Sequence, residues 1–254
     1  MVTIHDLSFL RSDVFPGGKR LTDLVPWSID RAALVLTPTA AVADEVRDHF
    51  RLSGDRLRVT PEGVAGIFFG ATPLGEAALA SLGVTRPFAV AVGTLEPRKN
   101  LDRLVSAWAE ARLDGWTLVI AGPEGWGPQL PETPGVVAAG WVADESLPGL
   151  LAAAEIFCYP SLYEGFGLPP LEAMAAGTPA LVGRYPAADE VLKDACLLVD
   201  PTDVEAIAGG LTRLATDAIL RRRFAAAGKA RAAAFTWERT AQATLEAYEI
   251  AVGT

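Results

Sequence analysis

Short, strand-sized apolar runs alternate with stretches of helical periodicity almost from end to end of this 254-residue chain. No other feature limits its folding choices as much. Parallel strands cannot be joined by tight hairpins; each pair needs a crossover of a dozen or more residues, usually a helix. The alternation therefore predicts an α/β fold with parallel sheets. A first block has strands at 2–5, 33–37 and 57–60 with helices near 21–32 and 40–51, followed by a turn-rich stretch at 61–66 that reads as a linker. A second block has strands at 88–92, 117–121, 136–139, 156–160, 179–182 and 196–199. Its helices fall near 101–112, 145–154 and 169–176, and the chain ends helical over 204–234 and 237–250.

The second block reads as a complete six-stranded, Rossmann-like domain. The first has three strands and opens directly in one, so the strand at 2–5 is expected to be an open sheet edge. Either the true start lies upstream, or another chain, a second copy included, covers that edge. The expected division is 1–66, a partial N-terminal lobe; 67–235, a C-terminal binding domain; and 236–254, a last helix that packs back on the first lobe.

Composition removes several function classes. Half of the residues are hydrophobic, enough for a sizeable core, and the net charge is −9. A general nucleic-acid binder would be basic, and anionic lipid is a poor partner on bulk charge. Residues 1–10 lack the basic-then-apolar pattern of a signal peptide, and no apolar run reaches transmembrane length. A cytoplasmic location is expected, with peripheral attachment at the inner face of the membrane left open. Cys158 and Cys196 lie in apolar runs, and only His5 and His49 stand ready to add ligands, so no metal cluster is expected. The basic run Arg221, Arg222 and Arg223 reads as a solvated helix face.

In open α/β sheets, ligands bind beyond the carboxyl ends of the strands, and two such segments carry chemistry. In residues 93–100, Gly93 permits close backbone approach. Arg98 and Lys99 stand just before a helix start, where amides and the dipole favour an anion. This holds a diphosphate without metal; the plainer alternative is two solvated basic residues. In residues 160–172, Glu164 lies in a glycine-rich loop around Phe166. Glu172 is expected in the first turn of a helix opened by Pro169 or Pro170, its side chain leaning back toward the loop. The two carboxylates would converge on one cleft and accept from sugar and ribose hydroxyls. The plainer alternative has Glu172 complementing the helix dipole. Trp116, Trp126 and Trp141, near strand ends, read as packing or as cleft lining.

The run Glu164-Gly165-Phe166-Gly167-Leu168-Pro169-Pro170-Leu171-Glu172 resembles the E-x7-E element of retaining GT-B glycosyltransferases of the group 1 (GT4) family. The likeness continues from Ala173 through Pro179. Residues 93–100 resemble the family's diphosphate loop. Gly140, Trp141 and Val142 with Asp144 and Glu145 resemble the segment beside the nucleobase. His5, Asp6 and Leu7 resemble a segment late in the N-terminal lobe, and Pro61 to Val64 the start of the interdomain linker. The resemblance covers nearly the whole chain and is nearest to mannosyltransferase-like enzymes of polysaccharide assembly.

The resemblance implies a GT-B fold with a complete C-terminal donor domain and a partial N-terminal lobe. It implies transfer of a hexose, with mannose the guess, from a nucleotide-diphosphate sugar such as GDP-mannose to a glycan or lipid-linked acceptor. It implies retention of configuration, and neither cofactor nor metal; no D-x-D triplet is present. Carried over by residue, Arg98 and Lys99 hold the diphosphate and Glu164 contacts sugar hydroxyls. Glu172 contacts the ribose, and Val142 lies near the base. Backbone of Phe166, Gly167 and Leu168, with Gly93 and Thr94, approaches sugar and diphosphate. His5 is either catalytic or structural. Thr94 departs from the family, where relatives often place an arginine, and the family's glycine-rich first loop has no counterpart. Two alternatives stay open: a donor-binding subunit inactive without a partner lobe, and a truncated fragment. Nucleotide-sugar 2-epimerases share the fold, but the Phe-Gly-Leu-Pro-Pro core favours transferases.

Overall fold

The computed structural model describes residues 1–11 and 15–253; Thr254, the last residue of the third expected segment, lies outside them. All strand pairing in it is parallel. The larger sheet contains β4 (Phe88–Val92), β5 (Thr117–Ala121), β6 (Val136–Gly140), β7 (Ile156–Tyr159), β8 (Ala180–Gly183) and β9 (Leu197–Val199) in the order β6-β5-β4-β7-β8-β9. These are the six strands expected from the sequence.

Strands covered on both faces read as continuous apolar runs, and β4 shows why. Phe88 and Val90 belong to one buried cluster with Leu150, Leu171 and Met174. Ala89 and Ala91 belong to another, with Leu104, Trp108 and Leu211. The two-residue period of the strand thus feeds two helix layers. One layer holds α5 (Leu147–Ala153) and α6 (Leu168–Ala175); the other holds α4 (Leu101–Ala111) and α8 (Val204–Thr216). The strand order reverses between β4 and β7, and a crevice opens there at the carboxyl ends of the strands.

The smaller sheet has three strands in the order β1-β2-β3: β1 (Val2–Thr3), β2 (Val35–Thr37) and β3 (Leu57–Val59). The strand expected at 2–5 pairs only through Thr3, although the Ile4 amide still donates to the Leu36 carbonyl at 2.9 Å. β1 is an edge of this sheet, paired on one side with β2. Helices α1 (Gly18–Arg31) and α2 (Ala40–Phe50) flank the sheet, and Ile29, Val42 and Val46 form its core with Ile4, Leu7, Val35 and Leu57.

One expectation needs refinement, and two helices are new. The helix expected over 204–234 is two: Asp217 caps α9 (Ala218–Ala232) by accepting from the Leu220 amide at 2.8 Å. Two six-residue helices, α3 (Glu76–Ser81) and α7 (Pro186–Val191), had no counterpart in the sequence reading. Each is too short to show a periodic pattern.

The lobes meet through specific polar contacts. The Glu190 carboxylate accepts from the amides of Ala40 and Ala41 at 3.0 and 3.1 Å, capping α2 from the other lobe. Thr39 donates to the Gly165 carbonyl at 3.0 Å. The Tyr163 hydroxyl accepts from the Leu7 amide at 3.0 Å and donates to Glu45 at 2.6 Å. Helix α10 (Trp237–Val252) buries Ala247 against Leu34 and Leu36, and Thr240 donates to the Pro61 carbonyl at 2.7 Å. No helix among the described residues is long and apolar enough to cross a membrane.

Candidate active site

The site is built at the crevice from the segments that leave β4 and β7. After β4 the chain makes a short helical turn, Pro97–Lys99, and passes through Asn100 in the left-handed region at φ 60° before α4 begins. Asn100 is fully buried. Its amide donates to the carbonyls of Pro160 at 3.0 Å and Pro201 at 2.6 Å. The basic turn is therefore bolted to the segments that follow β7 and β9, with the Leu162 amide donating to the Arg98 carbonyl at 2.9 Å as a further tie.

Glu164 is the centre of an ion cluster. One carboxylate oxygen accepts from the Lys99 ammonium at 2.8 Å and from the Tyr159 hydroxyl at 2.7 Å; the other pairs with Arg98. Lys99 also donates to the Tyr159 hydroxyl at 2.6 Å. Arg98 reaches Glu96 at 2.6 Å and the Tyr163 carbonyl at 3.1 Å. Glu96 and Glu164 are both buried. Burial by itself would push the Glu164 carboxyl up, but Lys99 and Arg98 outweigh it and hold the group below its ordinary value. Burial works against the charge on Arg98 too, and Glu164 and Glu96 more than offset it, so the guanidinium stays charged. Burial pushes the Tyr159 hydroxyl well above its ordinary value, and neighbouring Glu164 adds to the effect, so it stays a proton donor. The Arg98 Nε is buried without a hydrogen-bond partner among the described residues, so one strong donor of the cluster is uncommitted.

Beyond Glu164 the loop reaches Gly167, in the left-handed region at φ 101°, and α6 begins at Leu168 with a proline in its first turn. Gly165 has no room for a side chain: a Cβ there would fall 1.9 Å from the His5 carbonyl oxygen. Glu172 stands in the second turn of α6, not the first, so the alternative of complementing the helix dipole loses its geometric basis. Burial and the nearby Asp144 push its carboxyl up to about 7. The sequence reading had Glu164 and Glu172 converge on one cleft; in the structure their immediate surroundings differ. One is held among cations, and the other lies beside the acid Asp144.

A cleft of about 640 Å³ runs between the lobes and brings His5, Asp6, Gly93, Thr94, Arg98 and Lys99 to one wall system. His5 is largely exposed, and its Nδ1 meets a Glu62 oxygen at 2.8 Å. That hydrogen bond raises the imidazole above its ordinary value against a smaller effect of burial. Val142 and Phe166 are not on this wall. Val142 is buried, and Phe166 packs edge-on against Phe235 at 5.4 Å.

The family profile described as "Glycosyl transferases group 1" matches residues 80–231. The chain belongs to the group 1 glycosyltransferases. The O-antigen chain mannosyltransferase B of Escherichia coli is 33% identical over 98% of this chain and 70% of its own length. The MMP alpha-(1->4)-mannosyltransferase of Mycolicibacterium hassiacum is 33% identical over 86% of this chain and 54% of its own. The chain thus spans from about half to about seven tenths of these relatives. Among solved structures, Anabaena HepE in complex with UDP and glucose superposes with a TM-score of 0.79 at 19% identity, covering 100% of this chain and 71% of that one. That likeness speaks for the GT-B fold.

Within this glycosyltransferase, sequence reasoning singled out Arg98, Lys99 and Glu164 but missed two of their partners. Glu96 lay inside the basic segment and Tyr159 one residue before Pro160, yet neither had a signal beyond its position. Of the tryptophans, Trp126 lines the cleft, Trp116 lies under Arg221 at 5.9 Å, and Trp141 is exposed. The thiols of Cys158 and Cys196 are pushed up to about 12 by burial and take no part.

Proposed function

We propose that this chain binds a nucleoside-diphosphate hexose, and that the protein carrying it transfers the hexose to a glycan or lipid-linked acceptor with retention. Mannose is the proposed sugar and GDP-mannose the proposed donor, on the strength of two mannosyltransferases at 33% identity. A neighbour holding UDP and glucose supports the donor class. The observation that carries the reading is the pair Arg98 and Lys99, fixed at the carboxyl ends of β4 and β7 and facing the cleft.

When the bond to the sugar breaks, negative charge grows on the leaving diphosphate. Two cations already held in place stabilise that charge without reorganising, and the scheme asks for neither metal nor cofactor. Arg98 and Lys99 both line the cleft and are the donors for phosphate oxygens. Glu164 holds the cations in position. A carboxylate offers roughly four lone-pair sites, and Arg98, Lys99 and Tyr159 use three of them. The remaining one is for a single sugar hydroxyl.

The ribose diol falls to Glu172 and the base to the neighbourhood of Val142. The backbone of Gly93, Thr94, Phe166, Gly167 and Leu168 approaches the diphosphate and sugar. His5, oriented by Glu62, contacts the sugar from the opposite wall. A cytoplasmic setting with peripheral membrane attachment fits such a donor. A second reading, donor binding alone with transfer needing a further lobe or a second copy of the chain, is favoured by the 54% to 70% coverage of the relatives.

Calorimetric titration with GDP-mannose, GDP, UDP-glucose and UDP tests the proposal. Saturable binding of the guanine series is expected; binding of the uridine series alone would change the donor. No binding to any of the four by the folded chain would remove the donor-site assignment.

A further inference from the structure

A second cavity, of about 340 Å³, adjoins the cleft across Arg98 and is lined by Arg11, Phe15, Glu96, Trp126, Leu162 and Tyr163 among others. Its two aromatic walls come from different lobes. Phe15 belongs to the N-terminal part. Trp126 belongs to the loop between β5 and β6. The ring centroids lie 5.9 Å apart with planes at 73°. Opposite them, Arg11 lies 4.0 Å over the Tyr163 ring.

Trp126 is 38% exposed, so core packing does not account for it. Its loop is nevertheless seated firmly on the basic segment. The Gly127 amide donates to the Leu95 carbonyl at 2.8 Å, and a Cβ on Gly125 would fall 2.4 Å from that same oxygen. A large aromatic is thus presented to a cavity by a loop bound to the catalytic turn.

We propose that this cavity is an acceptor subsite and that Trp126, with Phe15, is the platform on which a hexopyranose ring stacks. A pyranose has one face of C–H groups with slight positive charge and a rim of hydroxyls. The first matches the negative face of an indole. The second matches Glu96, Ser8 and the guanidinium of Arg11, which also line the cavity. The volume suits one ring rather than a long glycan.

Position completes the argument. The cavity shares Ser8, Phe15, Glu96, Arg98 and Trp126 with the cleft, so a sugar seated there abuts the departing diphosphate, where an acceptor has to lie. The inference rests on the donor reading above, and it assigns part of acceptor recognition to the donor lobe itself.

The test uses the whole chain with 5-fluorotryptophan incorporated, the Trp126 resonance being assigned by its loss in Trp126→Phe. Methyl α-mannopyranoside and methyl α-glucopyranoside are titrated with GDP or UDP present, whichever the chain binds. Saturable movement of the Trp126 resonance is expected with one of them. By calorimetry, Trp126→Ala should weaken glycoside affinity about tenfold, the size of one strong aromatic contact. Trp126→Phe keeps an aromatic face and should restore most of it. Nucleotide affinity, measured separately, should change much less than glycoside affinity in either variant, since Trp126 borders the cleft but makes none of the contacts of Arg98 and Lys99. Glycoside affinity that Trp126→Ala leaves unchanged would overturn the subsite, as would no glycoside binding by chain that binds nucleotide. If nucleotide fails to bind but the glycoside still moves Trp126, the platform stands and the donor reading falls.

Discussion

Glu164 is a buried carboxylate that stays charged because three donors converge on it, and the same contacts make it expensive to remove. Glu164→Ala leaves Lys99 without an anion and Arg98 with Glu96 alone. Breaking a buried pair by deleting one partner typically costs about 3–5 kcal/mol, so urea unfolding of this variant should show a loss of that order. A loss near zero would mean the cations relax into solvent and the cluster is not preorganised. Glu172 behaves in the opposite way. Its folded carboxyl titrates at about 7 against an ordinary 4.5. Between those values the folded chain holds a proton that the unfolded chain has released. Stability from this group is therefore complete below pH 4.5 and falls as pH rises to 7. Glu172→Gln should match the wild type near pH 4.5 and exceed it at pH 8, by about 3 kcal/mol. Thermal unfolding across that range reads the difference, and parallel curves would show that Glu172 is not destabilised by its surroundings. If Glu172 takes the ribose as proposed, the same variant should bind nucleosides more weakly at pH 8, where the wild-type group is a full carboxylate.

At the scale of elements, the strands were legible because burial on both faces makes them short, continuous apolar runs, as in Phe88–Val92. The long helices were legible from their periodicity. The site was half legible. Arg98 before a helix start and Glu164 in a glycine-rich loop follow from where ligands bind in such sheets. What the sequence did not contain is how the loops engage each other. Asn100 reaching Pro160 and Pro201, Tyr159 closing the cluster and Glu190 capping α2 are contacts between residues from 60 to 150 positions apart. No local pattern announces them. Placing Glu172 in the first turn failed for a related reason: Gly167 turns the chain early enough for α6 to begin at Leu168 rather than at a proline. The loop between β7 and α6 also packs closely against the other lobe. In Gly165→Ala the new Cβ would meet the His5 carbonyl oxygen at 1.9 Å, and backbone on one side has to move. Overpacking of this kind costs roughly 1–3 kcal/mol. The unfolding midpoint should drop accordingly, and the Tyr163–Leu7 and Thr39–Gly165 hydrogen bonds should lose protection from exchange.

For the whole molecule, the question is whether a three-stranded sheet with a small core stands on its own or leans on the rest. Small cores bury too little to be stable alone, and the sheet's own core is a modest cluster around Val35 and Val46. Two supports come from outside it. One is the set of polar contacts to the loop after β7 and to Glu190. The other is α10, which crosses back and covers Leu34 and Leu36, each only 4% exposed. Exposing a buried leucine forfeits about 1.5–3 kcal/mol, so uncovering both removes a sizeable part of the ~5–15 kcal/mol that holds a typical protein folded. The larger sheet draws on neither support, since its two clusters contain no residue of α10. A chain ending at Phe235 should therefore lose amide protection across β1, β2 and β3 while β4 to β9 keep theirs. Hydrogen exchange read by mass spectrometry resolves the two sheets. Equal loss in both would mean that the lobes unfold as one unit, with α10 part of a single cooperative structure. Unchanged protection in β1 to β3 would mean that the contacts at Gly165, Tyr163 and Glu190 hold the small lobe without α10. The expected outcome, loss in the small sheet alone, makes α10 the clamp that keeps the His5 wall of the cleft opposite Arg98 and Lys99.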